Sequence, residues 1–352
     1  MRSRVFLDSV AVLARKPRAV FLATIAMVFS GCCIHVPAKC STRPHAVANK
    51  LNLIATHQIQ TASFTFGANH RPVYIAEAPI GVAHPAPVLL LHEMPALSLG
   101  TLELAQRIAV HGYRVYIPLL FGRFEDDSES SLVFFRRSLG LLLDPSWKSA
   151  YRNDEHLGVL DQLQTLCSEE ILPKHPKKRL GVIGMCISGS VALGLAAHIR
   201  EVVAPVVSQP TIPLVACTKK SREALGLTAA EMKTLKLRSQ HRLQILGFRF
   251  EGDRVCPKER FDHLNATFGH KAFVDRTLLG ARYHCIDHLP YRVHPVLTNC
   301  YLNSEPGKPE SATHYAFREL LAFLDAKLKH SIMQPYFDPP AKIATTLTTK
   351  SH

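Results

Sequence analysis

The sequence lacks the cysteine density of a disulfide scaffold, and no two of its cysteines have the spacing of a metal-binding or redox pair. Nine cysteines are spread over 352 residues, without a C-x-x-C pair or a zinc-finger block of cysteine and histidine. This distribution excludes a small disulfide-stapled scaffold and argues against a structural zinc site of the finger type. We therefore expect no structural metal site.

A hydrophobic run long enough to cross a membrane is also lacking at the N-terminus. The apolar run of residues 19–29 is much shorter than the roughly 20 residues of a transmembrane helix. It follows a basic lead and ends at Ser30-Gly31-Cys32, which is the order of a secretory signal. We therefore expect residues 1–32 to be a signal peptide and the chain to be exported. An uncleaved amphiphilic segment is the alternative.

The end of this segment resembles a bacterial lipoprotein processing site, in which the cysteine becomes the lipid-modified N-terminus. The resemblance implies lipidation at Cys32, although Phe29 stands where leucine is usual. It predicts a location in the bacterial cell envelope, either in the periplasm or attached to the membrane by the N-terminal lipid.

Acidic residues are outnumbered, with 28 against 42 basic ones, so the formal charge is +14. The basic residues are scattered, and the densest cluster, at residues 174–179, is typical of a solvated loop before an apolar strand. No helix-turn-helix, zinc-finger or RNA-binding signature accompanies this cluster. We expect no nucleic-acid partner.

Strand-like and helix-like segments alternate through most of the chain. The apolar run at residues 88–91 is typical of a strand covered on both faces, and an antiparallel pair is predicted within residues 62–77. The alternation predicts an α/β fold with a mostly parallel central sheet flanked by helices. The expected organisation is a tether at 33–58, one domain at 59–330 and a tail at 331–352.

The individual elements follow from apolar periodicity and from the positions of glycine and proline. Strands are predicted at residues 88–92, 113–117, 179–184, 202–207 and 243–250. Helices are predicted at residues 102–111, 131–143, 155–172, 188–200, 221–236, 257–268 and 312–329.

The segment from Gly184 to Gly189 carries the strongest functional signal. A predicted strand ends at Gly184, one residue precedes Cys186, and small residues open the next helix. This is the layout of a nucleophile elbow, and the helix N-terminus there favours a thiolate. A buried structural cysteine is the alternative. Ser188 is a weaker candidate because its surroundings are not G-x-S-x-G.

A cysteine nucleophile needs a base, and the base needs an acid that orients it. In α/β-hydrolases the acid follows a later strand and the histidine comes after the acid. Asp253 lies in the turn after one such strand, with Glu251 as the runner-up. The histidine expected on the loop before the last helix is His294, and the alternatives are His284, His288 and His314.

His92 and Glu93 follow the apolar strand at residues 88–91. In α/β-hydrolases the loop after this strand supplies a backbone donor to the oxyanion hole. The predicted donors are the N–H groups of Met94 and Ile187. A metal site at His92-Glu93 is not expected, because the H-E-x-x-H continuation is missing.

Together these segments resemble the dienelactone hydrolase family over roughly residues 60–329. The resemblance implies a triad of Cys186, Asp253 and His294. It also implies that Glu93 holds or activates the cysteine, and that Glu93 exchanges partners when substrate arrives and keeps the thiol protected until then. Ser188 departs from the family, which usually has glycine there. The resemblance rests on residues 90–93, 109–122, 184–189 and 252–253 and on His294.

The resemblance also implies a reaction, namely hydrolysis of a small-molecule carboxylic ester or lactone through a thioester, with no cofactor. The arginine and tyrosine side chains that bind the lactone carboxylate in the best-known members have no counterpart that can be placed here. A dienelactone is therefore not the expected substrate. A non-catalytic envelope binding protein with a hydrolase fold and an acyltransferase with the same triad are the alternatives. A monomer is favoured.

Overall fold

The computed structural model describes the chain from residue 59 to residue 329, with several gaps. The predicted signal peptide, tether, C-terminal tail and lipidation site at Cys32 lie outside the described residues. No helix within the described ranges is long and apolar enough to cross a membrane. The described ranges are 59–67, 69–94, 96–122, 140–141, 143–150, 152–175, 179–214, 216–278, 294–298 and 312–329.

The described residues form one eight-stranded sheet. Its strands are β1 (Ile59–Phe66), β2 (Arg71–Ala76), β3 (Ala86–Leu91), β4 (Tyr113–Pro118), β5 (Leu180–Met185), β6 (Val202–Ser208), β7 (Ile245–Phe250) and β8 (Phe273–Leu278). Their order in the sheet is β1-β2-β4-β3-β5-β6-β7-β8. The strands β1 and β2 pair antiparallel, β2 pairs antiparallel with β4, and all remaining neighbours are parallel.

Helices cover both faces of this sheet. They are α1 (Leu99–Ala109), α2 (Gly158–Thr165), α3 (Gly189–His198), α4 (Lys219–Glu223), α5 (Ala229–Gln240), α6 (Lys258–Ala272) and α7 (Ala312–Leu324). On one face α2, α3, α5 and α6 pack over one apolar cluster, and on the other α1 and α7 pack over a second. A π-helical turn follows α2 at Leu166–Ile171, and another follows α7 at Asp325–Lys329.

The central strands are apolar because both of their faces are covered. Every residue of β5 and of β7 is buried. Successive side chains of a strand point to opposite faces, so Val182 joins one apolar cluster and Ile183 the other. The predicted α/β fold with a mostly parallel sheet, and the antiparallel pair at its start, are therefore confirmed.

Three predicted segments differ from the observed elements. The helix predicted at 155–172 begins at Gly158 and passes into the π-helical turn after Thr165. The helix predicted at 221–236 is two helices, α4 and α5. Gly226 between them has φ +63°, and a Cβ there would lie 2.1 Å from the Ile212 side chain. The predicted helix at 131–143 lies largely outside the described residues.

The strand β8 was not predicted from the sequence. Within the described part of the chain it pairs with β7 alone, at the edge of the sheet, and Asp275 and Arg276 in its middle are only partly buried. Asp275 and Arg276 interrupt its apolar pattern. An edge strand that carries charges lacks the continuous apolar run by which buried strands are recognised.

Candidate active site

The turn between β5 and α3 holds Cys186 in a conformation that few residues adopt. Its φ is +54°, in the left-handed region that costs a non-glycine residue about 1–2 kcal/mol. A Cβ on Gly184 would lie 2.1 Å from the Ser188 carbonyl oxygen, and one on Gly189 would lie 2.9 Å from the Pro210 side chain. The small residues on both sides of Cys186 are thus required by the close approach of the chain, as expected for an elbow.

Ser188 fastens this elbow to the neighbouring strand. Its hydroxyl accepts the Met185 N–H at 2.9 Å and lies 2.8 Å from the carbonyl oxygens of Met185 and Leu91. The side chain is fully buried. A hydroxyl engaged in this way is part of the backbone scaffold, which argues against the alternative that Ser188 is the nucleophile. The serine is also accommodated without loss of the turn.

The Cys186 thiol faces a threonine that the sequence did not single out. The Sγ atom lies 3.5 Å from Thr211 Oγ1, and the Thr211 N–H donates to the Cys186 carbonyl at 3.1 Å. Cys186 is 8% exposed. Thr211 follows the carboxyl end of β6, the strand beside β5, so the parallel sheet brings the two residues to one edge.

Asp253 and His294 meet beside this thiol. His294 Nδ1 lies 2.7 Å from Asp253 Oδ2, and both side chains are almost completely buried. The other carboxylate oxygen of Asp253 accepts the N–H groups of Val255 and Cys256 at 2.9 and 3.1 Å. The acid is therefore fixed by the turn after β7, and its free oxygen orients the imidazole.

The environment of His294 favours its charged form. Burial lowers its pKa, but the charge and hydrogen bond of Asp253, followed by the adjacent Cys186, raise the pKa well above its usual range. The Nε2 atom is buried and has no partner at hydrogen-bond distance among the described residues. Cys186 is the second neighbour, after Asp253, that raises this pKa, and Nε2 is the nitrogen left for proton transfer.

Glu93 is held by two residues that the sequence did not predict. Thr298 Oγ1 donates to Glu93 Oε1, and Gln209 Nε2 donates to Oε2 at 3.1 Å. Burial raises the pKa of Glu93, against the opposing effects of Thr298, His294 and Gln209. Across the described residues, none of the hydrogen bonds of Glu93 goes to Cys186. In this conformation the carboxyl group lies near His294 and is engaged elsewhere.

The predicted oxyanion donors follow the ends of two adjacent parallel strands, β3 and β5. Ile187 is the second residue of the 3₁₀ turn Cys186–Ser188, where a peptide N–H has no acceptor within its own helix. Met94 follows β3 closely, and β3 pairs with β5 so that Leu91 is opposite Gly184. Both donors therefore lie at the same edge of the sheet as Cys186.

His92 has a structural environment rather than that of a metal ligand. Its Nε2 accepts the Leu120 N–H at 2.9 Å, which leaves the ring proton on Nδ1 to bond the Glu93 carbonyl at 3.0 Å. Burial lowers the pKa of His92 to about 4. A neutral imidazole with both nitrogens engaged fixes the start of the loop that carries Glu93 and Met94.

A buried arginine supports the loop after β6. Arg260 on α6 is fully buried and donates to the carbonyl oxygens of Pro210 and Pro213 at 2.6 and 2.7 Å. These bonds hold the loop on which Thr211 lies. Burial lowers the pKa of Arg260, while Cys256, Asp253 and Cys186 raise it. Its place on a helix with many polar residues gave no signal of burial in the sequence.

Of the remaining candidates, the structure describes Glu251 and His314. Glu251 is exposed to solvent, and its N–H donates to the Leu278 carbonyl at 2.7 Å. His314 lies on α7. His284 and His288 lie outside the described residues.

The strand order, with a strained elbow after β5 and an acid after β7, is that of an α/β-hydrolase fold. Residues 73–234 match the Dienelactone hydrolase family, which confirms the resemblance predicted from the motifs. The match ends before Asp253 and His294, so only the geometry of the site supports a functional role for these two residues. No curated protein matches the chain.

Solved structures with similar folds have low sequence identity to this chain. A dienelactone hydrolase-like promiscuous phosphotriesterase from metagenomic libraries is 14% identical, with a TM-score of 0.45, over 75% of this chain and 97% of its own. The acylaminoacyl peptidase of Pyrococcus horikoshii is 14% identical, with a TM-score of 0.46, over 80% of this chain and 43% of its own. An esterase domain from Rhodothermus marinus is 14% identical, with a TM-score of 0.43, over 76% of this chain and 98% of its own.

Proposed function

We propose that this chain hydrolyses a carboxylic ester or lactone, with Cys186 as nucleophile, His294 as base and Asp253 as the orienting acid. The observation that carries the proposal is the placement of His294. Its Nδ1 is bound to Asp253, while Nε2 is unpartnered among the described residues and lies on the side of the Cys186 thiol. This is the arrangement that a nucleophile–base–acid triad requires.

In the first step the Cys186 sulfur, whose proton has passed to His294 Nε2, attacks the acyl carbon as a thiolate. The N–H groups of Ile187 and Met94 stabilise the negative charge that develops on the acyl oxygen, each donor contributing about 3–4 kcal/mol. The intermediate collapses to a thioester when His294 returns its proton to the leaving alkoxide. The leaving group departs as an alcohol, or stays attached when the substrate is a lactone.

In the second step His294 removes a proton from water, which attacks the thioester carbonyl. The sulfur leaves and recovers the proton from His294, which restores the thiol and releases the carboxylic acid. Asp253 holds the imidazole in the required orientation and stabilises the imidazolium in both steps. Every proton is returned, so the cycle needs no metal or redox partner.

Glu93 has a separate role in this proposal. Its carboxyl group lies close enough to His294 to influence that ring, and Thr298 and Gln209 hold both of its oxygens. We infer that Glu93 positions the loop of Met94 in the conformation described here. The Glu93 carboxyl group can bond to the Cys186 thiol only when its hydrogen bonds to Thr298 and Gln209 break.

Trapping the thioester tests the proposal directly. Incubation with a p-nitrophenyl ester should add one acyl group to the full chain, on the peptide that contains Cys186, and neutral hydroxylamine should remove it. In Cys186→Ala both the acyl group and ester turnover should disappear, a loss of at least about 10³-fold. Cys167→Ala is the matched control because Cys167 is buried away from the site. Acylation that persists in Cys186→Ala would disprove the assignment. An unacylated wild-type chain would instead favour the non-catalytic binding protein.

Export to a bacterial envelope remains part of the proposal and rests on the sequence of residues 1–32. Metabolic labelling with a radioactive fatty acid should mark the chain in the membrane fraction, and Cys32→Ser should abolish the label. Cys33→Ser is the control, since the neighbouring cysteine should not affect lipidation. Label retained in Cys32→Ser would contradict lipidation at this residue.

A further inference from the structure

A cluster of metal-ligating side chains lies outside the active site, on the helices that cover one face of the sheet. It consists of His156, His198 and Glu231, each of which offers one ligand atom, and these atoms all lie within 4.8 Å of one another. His156 precedes α2, His198 ends α3, and Glu231 lies in the first turn of α5. Three segments that are far apart in the sequence are therefore joined at one point.

Two of the three distances inside this cluster, those from Glu231 to each histidine, are close to those of a coordination sphere. Glu231 Oε1 lies 3.2 Å from His156 Nδ1 and 2.9 Å from His198 Nε2. Ligands about 2.0–2.1 Å from a tetrahedral zinc ion are separated from one another by about 3.3 Å. The two nitrogen–oxygen separations already suit such an ion, which would lie between the three atoms.

The two carboxylate oxygens of Glu231 have different partners: Oε2 is hydrogen-bonded to Thr228, and Oε1 faces the two histidines. Oε2 accepts the N–H of Thr228 at 2.7 Å and its hydroxyl at 2.9 Å, in a capping box at the start of α5. The Glu231 side chain is 2% exposed, whereas His156 and His198 are 37% and 35% exposed. The carboxylate is thus fixed in the protein while the imidazoles are open to an ion from solvent.

Asp161 supplies the outer contact that metal-bound histidines usually have. Its Oδ1 lies 2.9 Å from His156 Nε2, on the opposite side of the ring from Glu231. Without a metal, His156 can satisfy both carboxylates only when both ring nitrogens carry protons. With a metal on Nδ1, the single proton of a neutral ring lies on Nε2 and donates to Asp161, which orients the ligand.

We propose that His156, His198 and Glu231 bind a divalent transition metal ion, with zinc as the best fit, and that Asp161 orients His156. Imidazole nitrogen and carboxylate oxygen suit zinc, and water fills the remaining position of its tetrahedron. The ion links the ends of α2, α3 and α5. Because α3 begins at the elbow of Cys186, this site stabilises the helix layer behind the nucleophile. It is independent of the proposed hydrolysis.

The test is zinc binding by the full chain, followed with a chromogenic chelator and by thermal unfolding. Wild type should bind one equivalent of zinc. This binding should be lost in each of three variants, His156→Gln, His198→Gln and Glu231→Gln. Glutamine at position 231 keeps the capping box, so this variant removes the anionic ligand while α5 stays capped. At a zinc concentration about 100-fold above Kd, the melting temperature of wild type should rise by about 5 °C.

Two further variants separate this site from other zinc-binding groups of the chain. His241→Gln alters an exposed histidine at the end of α5, and this variant should still bind one equivalent of zinc. Asp161→Asn removes no ligand, yet it should weaken zinc binding by about 10-fold because the orientation of His156 is lost. A zinc equivalent and a thermal shift that persist in His156→Gln and His198→Gln would overturn the proposal. Wild type that binds no zinc would overturn it as well.

Discussion

The elbow of Cys186 and the apolar region around Cys167 hold cysteines that are both buried, at 8% and 0% exposed. Cys167 lies in the π-helical turn after α2, inside an apolar cluster, and burial raises its pKa to about 12. Cys186 has an imidazole and a threonine hydroxyl beside it. Burial therefore does not distinguish the proposed nucleophile from Cys167, whereas the polar groups around the sulfur do.

The largest expected effect comes from removing the acid that orders these polar groups. Asp253→Asn keeps the size of the side chain but removes the charge that favours the imidazolium of His294. We expect kcat/KM for a p-nitrophenyl ester to fall by about 10⁴-fold with little change in fold, measured by steady-state kinetics and circular dichroism. Asp262→Asn, an exposed acid on α6, is the control. Equal activity of the Asp253→Asn variant and wild type would show that the two cysteine regions differ for another reason.

The two thiols can be compared directly by alkylation. Cys186 should react with iodoacetamide at least about 10²-fold faster than Cys167 near neutral pH, because burial keeps Cys167 protonated. The measurement is the time course of modified peptides by mass spectrometry. In His294→Gln the rate at Cys186 should fall towards that of Cys167. Similar rates in the wild type would identify Cys186 as a structural cysteine.

Arg260 allows the elbow region to be disturbed without a change to the proposed triad. Arg260→Met leaves the Pro210 and Pro213 carbonyl oxygens without their donors, and we expect a loss of roughly 2–3 kcal/mol of unfolding free energy. Urea denaturation measures the change. Arg222→Met, which breaks an exposed ion pair with Glu259, should cost much less. Equal losses in the two variants would mean that the loop after β6 does not depend on the buried guanidinium.

The smallest effect is the pH dependence of stability that His294 contributes. Its pKa is raised on folding, so its stabilising contribution is complete below the unfolded pKa of about 6.5 and is lost as pH rises through the folded value. The difference in unfolding free energy between wild type and His294→Gln should therefore shrink as pH increases above about 6.5. A pH-independent difference would show that His294 is not charged in the folded state.

The sequence predicted the parts of the site that depend on local chain geometry. A strand, a turn and a helix with small residues around Cys186 form one contiguous signal, and Asp253 follows the next suitable strand. Parallel strands end at the same edge, so the meeting of these residues follows from their order. His294 could be placed by order alone, although several histidines lie in that part of the chain.

The supporting residues could not be predicted, because their roles arise only from tertiary contacts. Gln209, Thr211 and Thr298 are common loop residues without a motif, and each acts through one neighbour that is distant in the sequence. The cluster of His156, His198 and Glu231 is spread over 76 positions, from residue 156 to residue 231, and has no fixed spacing. A sequence pattern cannot show which helix ends meet.

The hydroxyl of Ser188 has a consequence for how accurately the elbow is placed. Its one proton can go to the carbonyl oxygen of Leu91 or to that of Met185, while the oxygen accepts the Met185 N–H. Leu91 ends β3, from which Met94 follows, and Ser188 follows Ile187 directly. The separation of the two proposed oxyanion donors therefore depends on this side-chain bridge as well as on the backbone pairing of β3 with β5. A substitution at position 188 would change the distance between the two proposed donors, and with it the shape of the acyl group that fits between them.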